Sequence, residues 1–195
     1  SCMSSVLRTV VMLMAKVAAA VATTFNPANK GTDITLSSGN MVETTSSGVV
    51  YSTARSTTSK SSGKWYAEWG YTSGTNAFFG ICDASQNMNS WVGSDTHGWS
   101  LMTVNGFNYT NNTAVSQAFA ATPVAGNTIG ADIDLDAGTI KFYKNNVAAT
   151  NTLSISGSPT VFLAAGSFGA NQSVTLRPTS GSQTYSGHIG FTPWG

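Results

Sequence analysis

An all-β sandwich is the fold this sequence predicts, and three observations predict it. From Thr23 onward, short runs rich in Val, Ile, Thr, Tyr, Phe and Trp recur between Gly/Ser/Asn clusters, at the spacing of sandwich and barrel strands. Several of these runs alternate apolar and polar residues with period two, as strands do when one face packs on a core. Beyond Thr23 no stretch carries a helical period. A chain of 195 residues holds one well-cored domain plus tails, and two domains would be cramped.

The first element, residues 1–22, is the exception. Val6, Val10, Leu13, Val17 and Ala20 fall at heptad spacing, with Leu7, Val11, Met14, Ala18 and Val21 on the adjoining stripe, which predicts a short apolar helix. Ser4 or Ser5 caps its start, and Phe25-Asn26-Pro27 ends it because the residue before proline is pushed out of the helical region. Arg8 and Lys16 argue against a membrane span, since each costs about 2.5–3.5 kcal/mol near the bilayer centre. Lys16 also splits the apolar run that a signal peptide needs. The expectation is an anchor that buries its stripe against partner chains, with Val6, Val10, Leu13 and Val17 as assembly residues.

The sandwich itself is expected over 23–177. Candidate strands are 34–36, 41–45, 49–53, 64–71, 78–82, 98–104, 128–135, 139–144, 161–165 and 173–177. Within Gly63-Lys64-Trp65-Tyr66-Ala67-Glu68-Trp69, alternation puts Trp65, Ala67 and Trp69 on the core face and Tyr66 and Glu68 on the other. The stretch 130–146 reads as a hairpin turning at Asp136-Ala137-Gly138, with Ala131, Ile133, Leu135, Ile140 and Phe142 inward. Residues 178–195 have the composition of a linker yet finish in Ile189, Phe191 and Trp194. They are expected to form an extended tail that docks Phe191 and Trp194 on neighbouring subunits.

Composition narrows the function classes. Charged residues are only 9% of the chain and the net charge is +1, so no field or Lys/Arg cluster exists to hold a nucleic acid. Gly, Ser, Thr and Asn take the place of charge, as on extracellular or virion β-proteins. Cys2 and Cys82 have no metal or redox spacing.

Four motifs in order, GKWYAEW (63–69), FFGICDAS (78–85), HGWSLMTVNG (97–106) and IGADIDLDAGTIKFYKNN (129–146), make the chain resemble the SPRY domain family. The last is the most specific: a strand ending in an Asp-Leu-Asp-like turn leads into one ending in Phe-Tyr-Lys-Asn. The chain departs from the pattern at Gly126-Asn127-Thr128, where an acidic residue is usual, and at Asn145-Asn146 in place of Asn-Gly. Asn tolerates positive φ, so the turn survives. The resemblance implies a bent, jelly-roll-like antiparallel sandwich whose loops at one end recognise a partner. Such modules occur in ubiquitin ligases, ion-channel receptors and phage virion proteins, and they bind rather than catalyse. The low charge and apolar leader are most similar to the phage kind.

Candidate chemistry is sparse. Asp132, Asp134 and Asp136 stand at i, i+2, i+4 and share a strand face, so a calcium ion is one reading. The other has Asp136 making the turn, Asp134 bonded to loop backbone, as the resemblance implies, and Asp132 solvated. His97 and His188 are the only imidazoles and no nucleophile elbow surrounds any serine, which argues against an enzyme; no cofactor is implied. Trp91, Asp95 and His97 in one polar loop, and Phe107, Tyr109 and Asn112 in another, offer aromatic planes flanked by amides and a carboxylate. That combination suits sugar rings; the alternative is that these aromatics merely cover the end of the sandwich. The expectation is therefore a virion or extracellular binding protein, a capsid decoration or short fibre, with other virion proteins and its own copies as partners. A tail-fibre tip reading host-surface glycan or protein is the alternative, and an intracellular peptide-binding adaptor is a third.

Overall fold

The computed structural model describes residues 22–157, 159–185 and 188–195. The predicted helix, with Val6, Val10, Leu13 and Val17, lies outside the described residues. Among those described there are only strands, turns and loops, and no helix long and apolar enough to cross a membrane.

Among the described residues sixteen strands form: β1 (Phe25–Lys30), β2 (Ile34–Ser37), β3 (Val42–Thr45), β4 (Tyr51–Lys60), β5 (Lys64–Ser73), β6 (Ala77–Cys82), β7 (Gly98–Met102), β8 (Phe107–Thr110), β9 (Thr113–Gln117), β10 (Thr128–Asp134), β11 (Thr139–Lys144), β12 (Val147–Ala148), β13 (Leu153–Ser154), β14 (Val161–Phe168), β15 (Ser173–Arg177) and β16 (Thr192–Pro193). One sheet, A, runs β1-β4-β14-β6-β7-β8-β9. The other, B, runs β12-β11-β10-β5-β15-β3-β2, with β13 added to β11 and β16 to β5. Every pairing is antiparallel except β16 on β5.

All ten predicted strands are present, and the differences have local causes. Pro27, the expected stop after a helix, falls instead within β1, where an edge strand tolerates it since it need not donate on its open side. β4 extends to Lys60 through Ser and Thr, whose strand propensity a polar composition conceals. Residues 105–112, read as a loop, contain β8 and the start of a hairpin to β9. Asn111 and Asn112 turn that hairpin at φ of 50° and 54°, and Asn145 and Asn146 turn the β11–β12 hairpin at 48° and 65°.

Between the sheets lies one apolar interior. Ala131, Ile133, Leu135, Ile140 and Phe142 enter it as alternation predicts, with Ala67, Trp69, Trp99, Phe79, Ile81 and Leu163. Trp65 is only partly buried at its margin. All six residues of β6 and all seven of β10 are buried, so the outer faces of both sheets are covered too. On sheet A the cover is the loop 83–97. On sheet B it is the carboxy-terminal segment.

That second cover corrects the extended tail. Thr192 and Pro193 pair with Trp65 and Tyr66, and Trp194 joins the interior at 1% exposure, edge-on to Trp65 at 6.3 Å. Its indole N–H donates to Thr58 Oγ1 at 3.2 Å and its backbone N–H to the Tyr66 carbonyl at 2.9 Å. Trp194 is therefore a core residue of its own chain and has no free face for a neighbour. Phe191 stays half-exposed, 6.0 Å from the Lys64 ammonium.

Candidate functional site

The loop 83–97 leaves β6 and returns to β7 by way of the outer face of sheet A. Its base is closed by the Asp83 N–H donating to the His97 carbonyl at 2.9 Å and by the His97 ring nitrogen Nδ1 lying 2.8 Å from Asp83 Oδ2. That hydrogen bond holds the His97 imidazolium above its ordinary range. Asp95 Oδ1 accepts from the His97 N–H at 2.9 Å. Farther along, Val92 is buried against Phe78, Cys82 and Ala164, the outward residues of β6 and β14. Ser100 Oγ donates to the Val92 carbonyl and Thr53 Oγ1 to the Ser90 carbonyl at 2.6 Å, tacking the loop to β7 and β4.

The pinned loop presents Trp91. Its ring lies 6.4 Å from Tyr51 and edge-on to Tyr109 at 5.2 Å and 89°. Tyr51 in turn lies 4.7 Å from Phe168. The β8–β9 turn docks on the same loop, with Asn111 N–H donating to the Asp95 carbonyl at 2.8 Å and Asn112 N–H to the Gly93 carbonyl at 2.7 Å. Tyr109 Oη accepts from Asn105 Nδ2 at 2.7 Å.

The structure thus brings Trp91, Asp95, His97, Tyr109 and Asn112 to one rim. Tyr109 arrives there on a strand rather than a loop, and Phe107 lies on the same strand, which corrects the sequence reading. Phe107 stands two residues from Tyr109 along β8 and makes no ring contact with Trp91 among the described residues. Tyr51 and Phe168 were missed as rim residues. The period-two alternation that places them opposite Ser52 and Ser167 was their available signal.

The outer face of sheet B carries a polar network beneath the tail. Glu68 is fully buried, accepting from the Tyr66 hydroxyl at 2.8 Å and from the backbone N–H groups of Thr184 at 2.6 Å and Tyr185 at 2.9 Å. Burial first, and then the Glu68 hydrogen bond, push the Tyr66 phenol far above its usual range. A Cβ on Gly130 would come 2.6 Å from that hydroxyl, so only glycine lets the ring lie there. Asp132 accepts from the Tyr143 hydroxyl at 2.6 Å and pairs with His188 Nδ1 at 2.8 Å. The His188 ring rests 4.9 Å from Tyr66 and 4.0 Å from Tyr143. Asp132 is therefore not solvated, and His188, unassigned from sequence, is its partner.

Asp134 pairs with Lys64 at 2.7 Å and accepts from Ala137 N–H at 2.9 Å; the Lys64 hydrogen bond holds its carboxyl below the usual range. Asp136 accepts from Gly63 N–H at 2.7 Å. Each of the three aspartates serves a different partner, and among the described residues no three His, Cys, Asp or Glu side chains are grouped to hold an ion. A chelator is expected to leave the melting temperature unchanged. A drop of several degrees reversed by calcium would restore the cation reading.

Two antiparallel sheets packed face to face, with the loop 83–97 pinned across one of them, define the class as an antiparallel β-sandwich. The SPRY domain model matches residues 63–180, and the chain belongs to that family. Among solved structures it is similar to the SPRY domain of human HERC1, with a TM-score of 0.68 and 15% identity over 78% of this chain and 96% of that one. It is also similar to the TRIM65 PSpry domain, with a TM-score of 0.64 and 18% identity over 79% and 90%. Stonustoxin matches with a TM-score of 0.63 and 19% identity over 79% of this chain but only 26% of the toxin chain. A search of curated proteins finds no match. SPRY domains are protein-binding modules.

Proposed function

We propose that the chain is a non-enzymatic binding module that grips a partner through the rim around Trp91 and is carried on a phage particle as a capsid decoration or short fibre. The observation that carries the binding reading is Trp91 itself, half-buried against Tyr51 and Tyr109 on a loop tied to two strands. Rigid Trp and Tyr side chains supply most of the energy at protein interfaces, because they bury large area at small entropic cost. Support for the particle setting comes from composition, 9% charged residues with a Gly/Ser/Thr/Asn surface, and from the apolar stripe of residues 6–21.

Asp95, Asn111 and Asn112 beside Trp91 favour a second reading, a fibre tip that takes host-surface glycan, with a sugar stacked on the indole and its hydroxyls on the amides. A glycan array probed with wild type, Trp91→Ala and Trp91→Phe separates the two. A signal that Trp91→Ala loses by about tenfold or more, and Trp91→Phe partly keeps, selects the glycan reading. No signal, together with binding to purified particles that Trp91→Ala weakens, selects decoration. No glycan signal, together with particle binding unchanged in Trp91→Ala, sinks both.

Residues 6–21 are proposed to join copies of the chain. Deleting them is expected to leave a folded monomer in light scattering. A truncated protein that keeps the original oligomer mass refutes this.

A further inference from the structure

Between the β5–β6 turn, the end of β7 and the segment joining β9 to β10 lies a cavity of about 350 Å³, lined in part by Tyr71, Gly74, Thr103, Val104, Pro123 and Val124. Among the described residues no charged side chain lines it. It has room for about ten water-sized groups. Its walls are fixed by backbone hydrogen bonds. Tyr71 N–H donates to the Asn127 carbonyl at 2.9 Å and Gly126 N–H to the Tyr71 carbonyl at 2.7 Å, while Thr103 N–H donates to the Ala77 carbonyl at 2.9 Å. On the remaining side Gln172 Oε1 accepts from the N–H groups of Thr75 at 2.9 Å and Asn76 at 2.8 Å. Gly74, at φ of 118°, admits that amide, since a Cβ there would come 2.2 Å from the same oxygen. At the core end Tyr71 is buried against Phe79. A cavity tied down in this way exists before anything enters it.

Its open side is apolar: Val104 and Val124 stand at the mouth, 57% and 58% exposed. A free small molecule usually buries about 70–90% of its surface in a site, which a cavity open on one side does not provide. A side chain whose backbone stays outside needs no such enclosure, and the two valines give that backbone an apolar shoulder. The mouth is also linked to the rim by contacts. Asn105 follows Val104 and donates to the Tyr109 hydroxyl at 2.7 Å, and Tyr109 meets Trp91 edge-on at 5.2 Å.

We propose that this cavity receives one uncharged aliphatic or aromatic side chain of a partner polypeptide, as a second anchor beside Trp91; the proposal rests on the protein-binding reading of the rim. The test uses the isotope-labelled full chain titrated in solution NMR with N-acetyl-leucinamide, N-acetyl-phenylalaninamide and the matching lysine and aspartate derivatives. The two uncharged amides are expected to shift the backbone signals of Thr75, Thr103, Val104 and Ala125 saturably. The charged ones are expected to leave them in place. Ala125→Trp, a change at an exposed position of the mouth, is expected to weaken that binding by about tenfold, the loss of one good apolar contact.

The proposal is overturned if neither uncharged amide gives saturable shifts, if the charged amides bind as well, or if Ala125→Trp binds like wild type. It is also overturned if cyclohexanol, a free small molecule, binds tenfold more tightly than both amides. The rim reading fails separately: cavity shifts present while Trp91→Ala changes neither glycan binding nor particle binding would sink the rim and not the cavity.

Discussion

Trp194→Ala is expected to destabilise the chain by about 3–5 kcal/mol, the usual cost of deleting a buried indole, and to lower the melting temperature by about 6–20 °C. Three losses coincide. The ring leaves a hole beside Trp65 and Lys60, whose ammonium sits 3.7 Å from the Trp65 ring centroid. Thr58 loses the indole donor. The anchor that holds β16 on β5 also goes, and with it the cover over sheet B, since Thr184, Tyr185 and His188 keep Glu68 and Asp132 from water. Freed of the tail, Glu68 keeps the Tyr66 hydroxyl but loses two backbone donors. Phe191→Ala, at a half-exposed ring, is expected to cost no more than about 1 kcal/mol. Urea unfolding of the two variants measures the contrast. Equal and small effects would mean that the tail contributes nothing to the fold.

The tail also marks where sequence reasoning stops. Period-two alternation found the interior: Ile133, Leu135, Ile140 and Phe142 face where their spacing puts them, because a strand leaves a side chain only two directions. Alternation says which residues share a face, and not what covers that face. Tyr66 and Glu68 were correctly set opposite Trp65 and Trp69, but their burial depends on a segment more than a hundred positions away whose Gly/Ser composition reads as a linker. Trp91 stood out because a large apolar ring in a polar loop is anomalous. Tyr51 and Phe168 did not, since each sits at a strand end where an aromatic residue is ordinary. Phe107 and Tyr109 were placed in a loop because four asparagines surround them. Asn-rich sequence marks a turn well and conceals the short strands on either side of it.

Glu43→Leu is expected to stabilise the chain at neutral pH, by about 1–3 kcal/mol, the cost of burying a polar group without a partner. Glu43 lies on β3 between Leu36 and Val174, fully buried, and neither carboxyl oxygen has a hydrogen-bond partner among the described residues. Burial first, and then the nearby charge of Asp33, hold its pKa well above the ordinary value. An unfolded glutamate loses its proton near about pH 4.3. Above that pH the folded chain keeps a proton that the unfolded chain has released, so stability falls as pH rises until the folded carboxyl itself ionises. Asp134, whose carboxyl is held low by Lys64, acts in the opposite sense and loses its contribution as pH falls. The difference between wild type and Glu43→Gln, measured from pH 3.5 to pH 8, removes that common background. Below about pH 4 the two proteins are expected to match, since a neutral acid and an amide bury alike. Above it Glu43→Gln is expected to gain steadily on wild type, with Glu43→Leu the most stable of the three. A constant gap across the whole range would mean that the folded carboxyl ionises as an exposed one does, and that an unseen partner holds its charge inside the sandwich.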